Sequence, residues 1–230
     1  MWRSTVVATV GLLATVGFVS AQTPAQSPPA APPPAAETPN APEPMEDVQT
    51  GDHWTYQVRD DITGDIKSTI TNTVTDASAS EINMRFSLLG NPTFGYQTFD
   101  RTWNLTNNGV WKFAPNDGTG IRPPLTVGKT WSFKNTALNT KAGNSLKRSG
   151  TAKVVAQESV TTSAGTFDTF KIETTVQEDN AADATKKLQF EQQTWYAPAI
   201  DHWVKRSSVT RSDGRIRDKS TMELVEYGRR

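Results

Sequence analysis

Two tripeptides in this 230-residue chain repeat one arrangement of titratable and aromatic groups: Asp52-His53-Trp54 and Asp201-His202-Trp203. They hold both of its histidines. A histidine next to a carboxylate is raw material for acid–base work or for a metal ligand, because imidazole titrates near neutrality and a carboxylate can orient it. On a strand, however, adjacent side chains point to opposite faces, so neither tripeptide makes an Asp–His pair by itself. Two histidines cannot build a three-His site. The chain also has no cysteine, which excludes disulfides, Cys-ligated zinc, iron–sulfur clusters and a thiol nucleophile. His53 and His202 stand as weak metal candidates, and the expectation is no metal and no cofactor.

Other chemistry is thinner still. There is no Gly-x-Ser-x-Gly elbow, and the serines nearest a histidine, Ser207 and Ser208, sit in a charged stretch. Gly118 and Gly120 flank a threonine without the lysine of a phosphate-binding loop. Asp100, Glu173 and Glu191 lie in strand-like runs where paired carboxylates could do glycoside hydrolysis, yet nothing in their spacing singles them out. The expectation is a protein that is not an enzyme.

The tryptophans carry the stronger pattern. Gly51-Asp52-His53-Trp54-Thr55-Tyr56 corresponds to Gly128-Lys129-Thr130-Trp131-Ser132-Phe133, and Trp103 precedes Trp111 by the interval at which Trp195 precedes Trp203. These marks define a pseudo-repeat over 51–115 and 127–210. In each opening strand the Trp and the aromatic two residues later share a face, so both can enter one core. The competing use is a ligand groove, for which Trp103, Trp111, Trp195 and Trp203 are the weak binding candidates.

The elements that must hold these residues read as strands. Ile66, Ser68, Ile70, Asn72 and Val74 alternate with Lys67, Thr69, Thr71, Thr73 and Thr75; Ile82, Met84, Phe86 and Leu88 repeat the pattern, as do Phe170, Ile172, Thr174 and Val176. Asn107-Asn108-Gly109 and Asp213-Gly214 supply hairpin turn chemistry. A segment at 181–187 is the nearest approach to a helix and reads better as a connection. The fold class is all-β, mainly antiparallel: a curved sheet, half-barrel or sandwich of two similar units.

Met1 to Ala21 reads as an export signal, with Arg3 before an apolar run too short for the ~20 residues of a membrane helix. No stable membrane span is expected once it is cleaved. Residues 22–50 hold nine of the 14 prolines and no Lys or Arg, and read as a disordered tether. The domain from 51 to 230 has 23 basic against 20 acidic residues, and the whole chain balances 24 against 24. That balance argues against nucleic acid. The basic residues from Lys205 to Arg230 are interleaved with acids and read as a solvated strand face rather than as a site for an anionic partner.

The run Ser163-Ala164-Gly165-Thr166-Phe167, then Thr194-Trp195-Tyr196-Ala197-Pro198 and Trp203-Val204-Lys205, with Val127-Gly128-Lys129-Thr130-Trp131 ahead of them, resembles a group of uncharacterised bacterial exported proteins. The resemblance covers about 127–210. It implies an antiparallel sheet, related in shape to periplasmic lipoprotein carriers, and no particular activity. The chain departs from the pattern after Pro198, where Ala199-Ile200-Asp201-His202 replaces the usual glycine-containing turn.

The functional expectation is an exported envelope protein, periplasmic or extracellular, that binds a hydrophobic ligand or envelope component. A structural or protein-interaction module is the alternative, and a hydrolase comes third.

Overall fold

The computed structural model describes Met45, residues 47–180 and residues 187–229. The export signal, nearly all of the proline-rich segment, and the 181–187 connection except Lys187 lie outside the described residues.

Twelve strands follow in chain order: β1 (His53–Asp60), β2 (Ile66–Ala77), β3 (Glu81–Leu88), β4 (Phe94–Asp100), β5 (Leu105–Asn107), β6 (Trp111–Ala114), β7 (Thr130–Asn139), β8 (Ser145–Thr162), β9 (Gly165–Asn180), β10 (Lys187–Ala197), β11 (His202–Ser212) and β12 (Arg215–Gly228). Each pairs antiparallel with its chain neighbours, and β1 also pairs with β12, from His53 opposite Gly228 to Asp60 opposite Ser220. The sheet is therefore closed. This corrects the expectation of an open curved sheet, half-barrel or sandwich: alternation along a strand reveals which face is buried, but not whether the first and last strands meet.

The turn chemistry works as its residues dictate. Asn107 ends β5 and Asn108-Gly109 turns the chain toward β6, while Asp213-Gly214 joins β11 to β12 with Ser212 opposite Arg215. Gly109 and Asp213 both take positive φ, as such turns require.

Alternation runs apolar inward and polar outward. In β7, Trp131, Phe133, Asn135 and Ala137 are buried between exposed Ser132, Lys134 and Thr136. In β9, Ile172, Thr174 and Val176 are buried between exposed Glu173, Thr175 and Gln177. A lipid-spanning barrel shows the reverse pattern.

The two ends of the barrel differ. The described loops between odd and following even strands, those after β1, β3, β5, β7 and β11, gather at one end as short hairpins. The other end is capped by the 3-10 turn Pro198–Ile200, the long 115–129 loop, and the stretch leading into β1. Packing reaches back beyond Gly51: Met45 and Val48 are 1% and 3% exposed, and the Met45 N–H donates to the Ala199 carbonyl at 2.7 Å.

Candidate functional site

Beneath the cap lies a layer of aromatic rings. Trp54 from β1 stacks on His202 from β11 at 4.2 Å between centroids, and Trp103, in the turn before β5, meets Trp54, Phe99, His202 and Trp203 edge-on at 4.5 to 5.8 Å. Edge-to-face pairs set the positive rim of one ring against the negative face of another. The Tyr56 hydroxyl donates to the Trp203 carbonyl at 2.8 Å, and its oxygen lies 2.5 Å from His202 Nδ1. A hydroxyl has one proton, so the second bond requires Nδ1–H to be the donor and leaves Nε2 with its lone pair. Burial holds the His202 pKa well below its ordinary value, and neighbouring Arg206 pushes the same way, so the ring is neutral.

The histidines accordingly do not form a pair. His202 is fully buried in the ring layer, whereas His53 on β1 packs against Gly228 on β12. Among the described residues no three metal-ligating side chains gather. Asp52 is buried too, accepting from the Gln49 N–H at 2.9 Å and lying 3.4 Å from Arg229 Nε. It fastens the entry to β1.

On the capped side of the layer opens a pocket of about 250 Å³, lined by Trp103, Ile121, Leu125, Phe170, Tyr196 and Asp201, with Arg101 also on its wall. Its walls are mainly apolar, and its polar groups converge on one carboxyl. The Trp103 indole N–H donates to Asp201 Oδ1 at 3.2 Å, and the Tyr196 hydroxyl donates to the same oxygen. Asp201 Oδ2 has no hydrogen-bond partner among the described residues. Burial lifts the Asp201 pKa above its ordinary value against the pull of these two bonds, and burial likewise raises that of Tyr196. The departure from the glycine-containing turn is resolved here. Asp201 itself takes the left-handed conformation, φ 43°, at the end of the 3-10 turn, and Trp103 is left-handed as well at φ 59°. Such positions favour glycine, and a side chain held there marks a site where local strain is tolerated.

The four tryptophan candidates part company. Trp103 is 3% exposed, yet it contributes to the pocket wall, so it belongs to both core and site. Trp203 is buried in the ring layer. Trp195 lies between Lys171 and Lys205, whose amines sit 4.8 and 5.6 Å from its ring, and donates its N–H to Glu158 at 2.5 Å. Trp111 is half-buried on β6, away from both. The carboxylates of the strand-like runs serve locally. Asp100 accepts from Thr102, Asn104 and Asn116 in the turn that shapes Trp103, while Glu173 and Glu191 line a polar outer groove with Lys219.

One residue read as a solvated base proves to be interior. Arg206 on β11 lays its guanidinium 3.3 Å from the Trp203 ring centroid. Burial pushes its pKa down to about 10, so it is cationic at neutral pH. A cation over an indole face recovers about 2 kcal/mol when desolvated, whereas moving an ion out of water costs several. The strand phase could have revealed it, since Arg206 falls two residues after buried Val204.

Residues 132–213 match a family profile described as DUF3108-like, a little over a third of the chain. No curated protein matches the sequence. Among solved structures, a candidate exported protein of Bacteroides fragilis with a YmcC-like fold superposes at TM-score 0.53 with 14% identity, covering 82% of this chain and all of that one. The fold is YmcC-like. A candidate lipoprotein of Parabacteroides distasonis aligns at TM-score 0.50 and 14% identity, over 80% of this chain and 99% of its own. At these identities the likeness concerns the YmcC-like barrel alone.

Proposed function

We propose that this is an exported envelope protein that binds, without chemical conversion, a small hydrophobic molecule in the pocket beneath the cap. One observation carries the reading: apolar walls surround a single carboxyl whose Oδ1 is held by Trp103 and Tyr196 while Oδ2 remains open. Apolar pockets with a few convergent polar groups are what small-molecule sites look like. The free oxygen selects a ligand bearing one hydrogen-bond donor, such as an amine or hydroxyl, on an apolar body. Export accords with the apolar N-terminal run, and an aqueous compartment with the polar outer face of the barrel.

The test is calorimetric titration of the protein with short alkylamines and alkanols, alongside Leu125→Trp, which fills the pocket without touching Asp201. Saturable binding that Leu125→Trp abolishes at unchanged melting temperature supports the reading. Binding that survives the filled pocket rejects it.

A second reading, an interaction module, has its own observation. Ile62, Ile66, Leu89, Phe94, Tyr96, Val110, Leu138, Leu188 and Ile216, nine of the ten large apolar side chains left exposed among the described residues, all lie at the hairpin end. Exposed apolar surface of that extent marks contact with something else. If so, Leu89→Glu with Phe94→Glu should lower retention of the protein by envelope fractions without altering pocket binding.

A further inference from the structure

Among the described residues no carboxylate pairs with Arg206, its Nε is sealed from solvent, and that N–H has no hydrogen-bond partner. The Trp203 Nε1–H, on the ring against which the guanidinium is stacked, is equally buried and equally unpartnered.

The side chain points inward. Arg206 is opposite Thr194 on β10 and Met222 on β12, and Thr194, 3% exposed, is opposite Ile172 of the core. Directly opposed residues share a face of the sheet. The next row toward the hairpin end is Gln192, Ser208 and Ser220, all partly accessible. That row brings hydroxyls and an amide beside the cation, and its acid, Asp60 opposite Ser220, already holds Lys67 at 3.4 Å, as Asp218 does at 2.5 Å.

A half-buried cation with a sealed Nε–H and no paired anion, next to a second unpaired donor and a wall of hydroxyls and an amide, is a receptor for an anion rather than a packing element. We propose that Arg206 anchors an oxyanion site inside the barrel, taking a carboxylate or phosphate group on its guanidinium fork with the Trp203 N–H as the neighbouring donor. The site is separate from the capped pocket: Trp103, His202 and Trp203 stand between them, and its ligand chemistry is opposite in charge.

The experiment uses the full chain and five probes: acetate, inorganic phosphate, dodecanoate, dodecyl phosphate and uncharged dodecanol. Affinity is read by calorimetry, and position by the Trp203 indole N–H resonance. At least one oxyanion should bind saturably, shift that resonance, and lose tenfold or more in affinity in Arg206→Met, with a smaller loss in Arg206→Lys because an ammonium cannot fork. Binding by acetate or phosphate alone assigns a free anion, and binding only by the dodecyl anions assigns an amphiphile head group. Equal affinity in Arg206→Met, or no oxyanion binding by any probe, overturns the proposal. If Arg206→Met fails to fold, a Trp203 resonance that no oxyanion moves in the native protein overturns it as well. Leu125→Trp should leave oxyanion binding intact, so failure at one site is distinguishable from failure at the other.

Discussion

Trp103 and Asp201, 98 positions apart, are both held in left-handed backbone, and the indole N–H of the first donates to the carboxyl of the second at 3.2 Å. Each stabilises the other's unfavourable conformation across the barrel end. Removing the acceptor strands two donors at once, Trp103 Nε1 and the Tyr196 hydroxyl. Asp201→Ala should therefore cost about 2–4 kcal/mol in urea unfolding, while Asp201→Asn, which keeps Oδ1 and tolerates positive φ, should cost under about 1 kcal/mol.

Acid should weaken the fold through His202. Its folded pKa lies below the unfolded value near 6.5, so the unfolded chain binds the proton first. Stability from this group is complete above pH 6.5 and falls as pH drops below it, by up to about 1.4 kcal/mol per unit. Asp201 acts with the opposite sign: its folded pKa is raised, so its contribution is complete below the unfolded value of 3.8 and fades as pH rises through the folded one. Unfolding midpoints in urea between pH 7.5 and 5.5 should fall for the native chain and flatten in His202→Gln.

The interior tryptophans should be expensive to lose. Trp131 is 8% exposed, and Trp131→Ala should cost about 3–5 kcal/mol. The same change at half-buried Trp111 should cost less. Equal losses at the two positions in a denaturant series would contradict the burial described.

The N-terminal boundary can be checked by shortening. A chain beginning at Gly51 loses Met45 and Val48, each worth about 1.5–3 kcal/mol of burial. It should unfold at a measurably lower temperature than one beginning at Met45, and a calorimetric scan of both settles the matter.

Much of the barrel was legible from residue types. Ile82 and Met84 in β3 and Ile172, Thr174 and Val176 in β9 are buried in the alternation their types announce, although Ile66 at the start of β2 is exposed, and Asn108-Gly109 and Asp213-Gly214 mark hairpins because few other residues accept positive φ. The opening Trp-x-aromatic marks fall on β1 and β7, halfway round the barrel from each other. What stayed hidden is long-range. Nothing local tells His53 that it will face Gly228, so closure could not be read. The site suffers from the same blindness: Asp201 stands out in the sequence as a neighbour of His202 and as part of an unusual turn, whereas its pocket partners are the distant Trp103 and Tyr196. Arg206 is hidden in a run of bases, where the charge pattern says solvent and only the strand phase says interior.

The pairing of β12 with β1 has a consequence for how this molecule can meet others. Because each end strand is paired on both sides, neither the first nor the last strand offers a free edge onto which a foreign strand could be zipped. Side chains at the hairpin tips, Leu89, Phe94 and Ile216 among them, are the ready handles for recognition. Loss of the last fourteen-residue strand would undo this protection at a stroke, baring β1 and β11 as sticky borders.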